Sequence, residues 1–138
     1  MKKITAEYNI KVQFYDLDPM YVVWHGNYIK FLEAARCDLL QKIGYTYNDM
    51  KNGGSVYPVA KMDMKFIKSA SFDSELKIVS TIESIEPSLN ISYEIYDIKT
   101  NEKIFKAKTM QIRVDIKTGK TIYEAPERFV KKIEEYKI

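Results

Sequence analysis

One cysteine, one histidine and one tryptophan are all that this 138-residue chain carries of those residue types. A single thiol, Cys37, excludes an intrachain disulfide framework and makes the cytoplasm the expected compartment. No apolar run approaches the ~18 residues that a membrane-spanning helix needs, so no membrane partner is expected. Met1-Lys2-Lys3 leads into alternating polar and apolar residues instead of the apolar centre of a signal peptide. Charge of one sign is scarce as well. The net charge of +3 gives no footing for nucleic-acid binding, although it suits an anionic small ligand slightly. A glycine-rich phosphate loop is missing, and nothing in the chain calls for a metal, flavin or nicotinamide cofactor. Repeats, linkers and low-complexity stretches are missing too, so the length predicts one domain over residues 1–138.

What the chain does have is an ordinary globular balance, 46% hydrophobic and 30% charged, with eleven tyrosines and six phenylalanines to fill its interior. Ile4, Ala6, Tyr8, Ile10, Val12 and Phe14 alternate with polar residues and predict a long half-buried strand. From Asn27 to about Ile43 the period changes. Tyr28, Phe31, Leu32, Ala35, Leu39 and Ile43 mark one helical face, and Ile29, Ala34, Cys37 and Leu40 widen it, which predicts a helix covered on several sides with an inert buried thiol. Asn27 is the expected N-cap and Gly44 the expected stop. A short helix over Thr46 to Lys51 follows. Strands are then expected at Val56–Ile67, interrupted in character by Pro58, at Leu76–Ile85, and around Leu89 to Ile95. Thr100-Asn101 predicts a hairpin turn. Another strand is expected at Ile104–Ile116, with a bulge near Lys108. Lys117-Thr118-Gly119-Lys120 predicts a turn, and Pro126 opens a final amphipathic helix running to Ile138.

One long helix among so many strands is sheltered most simply by a sheet that curls around it. The expected fold class is therefore α+β, a curled antiparallel β-sheet wrapped around one long central helix. The sheet's uncovered edges and outer face would then favour dimerisation by sheet extension.

The chemistry concentrates between the first strand and the helix, in Asp18-Pro19-Met20-Tyr21-Val22-Val23-Trp24-His25-Gly26-Asn27-Tyr28. A carboxylate in the loop before a helix faces that helix's free N–H groups, and such donors stabilise a carbonyl oxygen as it becomes negative. A thioester needs little more. Its thiol leaving group has a pKa near ~8.5, so departure needs little acid assistance, and the protein must supply an attacking oxygen and an oxyanion site. Asp18 can attack directly or deprotonate water.

The stretch Phe14 to Tyr28, continued by Phe31-Leu32-Glu33-Ala34-Ala35-Arg36, resembles the signature of the 4-hydroxybenzoyl-CoA thioesterase family of hotdog-fold enzymes. Tyr57-Pro58-Val59-Ala60, Phe66-Ile67-Lys68 and Phe72-Asp73-Ser74-Glu75-Leu76 resemble that family's second and third strands. The resemblance implies an acyl-CoA substrate, Asp18 as the catalytic carboxylate, and an oxyanion donor at Trp24, His25 or Gly26. It also implies a homotetramer built as a dimer of dimers, with sites at subunit interfaces. Many members carry glycine at the position of Tyr21, so this tyrosine is expected to narrow the acyl channel or alter the loop. Tyr21, Val23 and Tyr28 are expected to wall the acyl pocket, and Lys61, Lys65 and Lys68 are candidates for the coenzyme A phosphates. Asp16 is expected to be structural, and Glu33 with Arg36 to form a helix-face ion pair. An acyl-carrier-protein thioesterase and a non-catalytic acyl-CoA-binding protein remain open alternatives.

Overall fold

The computed structural model describes residues 3–136. Five strands form one antiparallel sheet: β1 (Ile4–Lys11), β3 (Val59–Phe66), β4 (Glu75–Ser84), β5 (Leu89–Asp97) and β6 (Lys103–Gln111), in the spatial order β1-β4-β5-β6-β3. The short strands β2 (Ser55–Val56), β7 (Arg113–Asp115) and β8 (Thr121–Ile122) make a second, small sheet. The helices are α1 (Asn27–Ile43), α2 (Tyr47–Asn52) and α3 (Glu127–Glu135). The last two residues of the helix expected to reach Ile138 lie outside the described residues.

Alternation decides which sheet face meets α1. Leu76, Ile78 and Ile82 on β4, Leu89, Ile91, Tyr93 and Ile95 on β5, and Phe105 and Ala107 on β6 are all buried. Facing them, α1 buries Tyr28, Phe31, Leu32, Ala35, Leu39, Leu40 and Ile43. Each large side chain taken fully out of water here contributes roughly 1.5–3 kcal/mol. The expected architecture, an antiparallel sheet around one long helix, is the one observed. Gly44 ends α1 in the left-handed region at φ 88, where a side chain would be strained.

Several details differ from expectation. α1 is amphipathic and not covered all round: Lys30, Glu33, Cys37 and Gln41 line an exposed stripe, so the Cys37 thiol faces outward. Its N-cap is Gly26, not Asn27. Pro58, which has no N–H, divides the expected Val56–Ile67 strand between the two sheets. Register is continuous through Lys108, paired with Asp63 on one side and Ser92 on the other, so no bulge lies there. The long C-terminal strand breaks instead at Ile112, whose N–H turns to the Pro58 carbonyl at 3.1 Å as the chain passes into the small sheet.

Arg36 also departs from expectation. It does not pair with Glu33 but is buried at 5% exposure, donating from Nε to the Tyr47 hydroxyl (2.6 Å) and from Nη1 to the Tyr93 hydroxyl (3.3 Å). Burial alone would lower the pKa of the guanidinium, but the oxygens of Tyr93 and Tyr47 more than compensate and hold it above its usual value. Gln111 extends this network, donating from Nε2 to the Tyr47 hydroxyl (3.1 Å) and to the Tyr57 carbonyl (2.7 Å).

Candidate active site

The loop between β1 and α1 is held by its own backbone. Pro19 presets a turn in which the Tyr21 N–H donates to the Asp18 carbonyl and the Asp18 N–H to the Val22 carbonyl, both at 2.9 Å. The Met20 N–H donates to Asp18 Oδ1 at 2.8 Å, fixing the carboxylate's orientation while Oδ2 takes no partner among the described residues. Tyr21 adopts φ 62, a left-handed conformation that costs a non-glycine residue roughly 1–2 kcal/mol. Its side chain is 70% exposed. The tyrosine is not among the residues that line the cavity at Asp18.

The start of α1 is arranged by Asp16. Its carbonyl accepts from the Trp24 N–H at 3.0 Å and from Asn27 Nδ2 at 2.8 Å, while its side chain caps the turn at Gln13. The Asn27 N–H in turn donates to the Trp24 carbonyl at 2.9 Å, and the Tyr28 N–H to the His25 carbonyl at 3.3 Å. The Trp24 N–H is thus committed within the protein. Those of His25 and Gly26 have no acceptor among the described residues. Two adjacent donors at the positive end of a 17-residue helix suit a developing oxyanion.

These groups meet at a cavity of about 330 Å³, where Asp18, Val23, His25, Tyr28 and Lys68 are brought together. Val22, Phe66, Ile67 and Ser69 complete the wall. The sequence offers Phe66-Ile67-Lys68 as a strand and Lys68 as a coenzyme A contact, with no sign that the segment Phe66–Ser69 walls this cavity. Its place beside Asp18 follows from β3 pairing Phe66 with Phe105, which a linear pattern does not contain. Burial raises the pKa of the Tyr28 phenol, an effect only partly offset by the Ala70 N–H it accepts, so Tyr28 is a neutral wall and not a base.

Lys65 is not at this cavity. It stands opposite Lys106 on the outer sheet face, beside Asp63 and Glu94. Lys61 is on that outer face too. Lys68 reaches the cavity but is held by Glu102 at 3.1 Å. Grooves of about 580 and 590 Å³ on the outer face are larger than the Asp18 cavity, yet neither includes a carboxylate beside free helix N–H groups.

Trp24 and Gly26 are not among the residues that line the cavity, but they adjoin His25, which does. The indole, 49% exposed, tilts against the His25 ring at 5.3 Å, and a Cβ on Gly26 would come within 2.4 Å of its ring carbons. Gly26→Ala is therefore expected to push the indole aside and shift the neighbouring donors, lowering kcat/KM about 10–100-fold. Because Trp24 is the chain's one tryptophan, its fluorescence emission should move with it. An unchanged spectrum with unchanged turnover would remove Gly26 from the site.

Comparison with known proteins gives the family. A profile of the Thioesterase-like superfamily matches residues 12–133. The chain is 28% identical over 114 residues to the putative acyl-CoA thioesterase YneP of Bacillus subtilis, covering 82% of each protein. It is 26% identical over 107 residues to the acyl-CoA thioester hydrolase YbgC of Escherichia coli, covering 77% of this chain and 79% of that one. Among solved structures, a DHNA-CoA thioesterase from Staphylococcus aureus superposes with a TM-score of 0.83 at 26% identity, covering 94% of this chain and 91% of the other. The chain thus belongs to the Thioesterase-like superfamily of hotdog-fold proteins and is a thioester hydrolase.

Proposed function

We propose that the chain hydrolyses an acyl-CoA to a free carboxylate and coenzyme A at the Asp18 cavity, as a member of the 4-hydroxybenzoyl-CoA thioesterase family. One observation carries this reading. A carboxylate with an uncommitted oxygen lines the same cavity as His25, and the backbone donors of His25 and Gly26 are unspent. In the general-base route, Asp18 takes a proton from water and the water oxygen bonds to the carbonyl carbon. The oxyanion forms against the His25 and Gly26 N–H groups, where one donor can contribute ~3 kcal/mol. Collapse breaks the C–S bond, and the proton on Asp18 passes to the departing thiolate. In the nucleophilic route, an Asp18 oxygen bonds to the carbonyl carbon, the C–S bond breaks and coenzyme A thiolate departs; water then opens the resulting anhydride to the free acid and the Asp18 carboxylate, and a water proton goes to the thiolate. A single turnover in heavy-oxygen water tests the second route, because label enters Asp18 only when water opens an anhydride at the Asp18 carbonyl.

The substrate test is thiol release from short, aromatic and long acyl-CoAs, and from the same acyl groups on an acyl carrier protein. Asp18-dependent turnover of coenzyme A thioesters supports the proposal. Turnover of carrier-protein thioesters alone would transfer it to that alternative, and binding without turnover would point to a non-catalytic acyl-CoA-binding role.

We also propose a single domain acting in the cytoplasm as a homotetramer, a dimer of dimers. Seven of the eight residues of β3 are exposed, and the strand stands at the sheet's edge. Such an edge offers unpaired backbone groups to a second copy. The cavity-lining segment Phe66–Ser69 begins at the end of β3, so a copy paired there would stand beside the site. Light scattering is expected to find an oligomer; a monomer at working concentration would count against an interface site.

A further inference from the structure

We infer that the acyl pocket is closed at its inner end by a wall of three rings, Tyr28, Phe66 and Phe105, and that it therefore takes compact acyl groups and rejects long saturated tails. The inference rests on the assignment of the Asp18 cavity as the site of hydrolysis. Tyr28 and Phe66 both line that cavity. Tyr28 stacks on Phe105 with centroids 4.7 Å apart and planes 6° from parallel. Phe66 sets its ring edge-on to both, at 5.5 Å from Tyr28 and 5.2 Å from Phe105. All three separations are contact distances for aromatic pairs, so the rings form one packed block.

The block cannot easily part. Phe105 is fully buried and Tyr28 nearly so, and Phe31 braces Tyr28 from a third direction at 5.8 Å. Opening a channel through it would mean breaking packing at near-crystalline density. Phe66 also approaches the His25 ring, 6.5 Å away and perpendicular to it. The wall thus begins next to the residue whose backbone is assigned to the thioester oxygen, and an acyl group leaving that carbonyl meets rings at once.

Volume points the same way. About 330 Å³ lies near the lower end of the roughly 300–1,000 Å³ usual for small-molecule sites, and part of that space must hold the thioester itself. A single ring or a few aliphatic carbons fits the remainder, with the ring edges and faces of Tyr28 and Phe66 as its contacts. Phe66 is the adjustable member of the block, because at 49% exposure on an edge strand it can change size without emptying the core.

The test compares kcat/KM for acetyl-, hexanoyl-, benzoyl- and palmitoyl-CoA in the wild type, Phe66→Ala and Phe66→Trp. The wild type is expected to favour hexanoyl- and benzoyl-CoA over palmitoyl-CoA by about tenfold or more, and Phe66→Ala to close that gap about tenfold. Phe66→Trp should depress hexanoyl and benzoyl turnover more than acetyl turnover. Opposite shifts from two substitutions at one position distinguish a specificity wall from general damage. Calorimetric binding of the same four thioesters to Asp18→Asn gives the ranking without turnover. Equal handling of palmitoyl and hexanoyl groups by the wild type, or an unmoved chain-length profile in both variants, would overturn the inference. An Asp18→Asn protein as active as the wild type would instead overturn the site assignment beneath it.

Discussion

Asp18→Asn should abolish most turnover while leaving the fold intact, with kcat falling about 10²–10⁴-fold, the range that a positioned acid or base contributes. The direction follows from what the substitution keeps. An asparagine carbonyl oxygen can still accept the Met20 N–H, now met by Asp18 Oδ1 at 2.8 Å, so the turn and the free His25 and Gly26 donors survive. What goes is the negative charge on the uncommitted oxygen, and with it both the basicity and the nucleophilicity of the group. Because the turn is preserved, the midpoint of urea unfolding should move little. The thiol-release assay and the unfolding curve must be read together. A large loss of rate with an unshifted midpoint is the expected pair. A parallel collapse of stability would make Asp18 a structural residue, and an unchanged rate would remove it from the chemistry.

Phe129→Ala should do the reverse, costing about 3–5 kcal/mol of stability while sparing the activity of the molecules that remain folded. Phe129 is fully buried, stacked on Tyr45 at 4.7 Å and edge-on to Tyr57 at 6.4 Å. With Ile133 it supplies the buried face of α3, and truncation leaves a cavity that two aromatic rings cannot collapse to fill. Against a total stability of roughly 5–15 kcal/mol this is a large fraction. Activity should be spared for a geometric reason. The Tyr45 end of α1 and the His25 end are separated by a 17-residue helix, ~25 Å long. Denaturant unfolding measures the first effect and turnover per folded molecule the second. A loss below about 1 kcal/mol would mean that α3 is not docked in solution.

Those two residues also mark what a linear reading reaches. The placing of Asp18 in a loop just before α1 was legible because the signal is contiguous: turn, carboxylate and helix start lie within a dozen residues. α1 was legible from its 3.6-residue period and its terminal glycine, and β1, β4 and β5 from alternation. Several misses turn on partners that a local pattern does not name. Asn27 looked like a cap, yet its amide reaches back to the Asp16 carbonyl. Arg36 looked like a surface ion-pair member, but its acceptors come from α2 and β5. The break at Ile112 depends on Pro58, more than fifty residues earlier. Lys65 and Phe66 are neighbours on one strand, and alternation says only that they face opposite ways. Which of them faces α1 is settled by Phe66 pairing with the buried Phe105.

Arg36 gives the interior an unusual property. A guanidinium does not lose its proton at any pH the folded chain will meet, so the core holds a permanent positive charge whose hydrogen-bonded neighbours among the described residues are the hydroxyls of Tyr47 and Tyr93 and no carboxylate. Positions 36, 47 and 93 then behave as one hereditary unit. Removing either hydroxyl strips an acceptor from a charge that cannot reach water, whereas removing the arginine leaves both hydroxyls without their shared donor. Changes at the three positions should therefore not add, and substitutions tolerated together will fail singly. A lineage can cross from this arrangement to an apolar one only by passing through a less stable ancestor or by changing several residues at once.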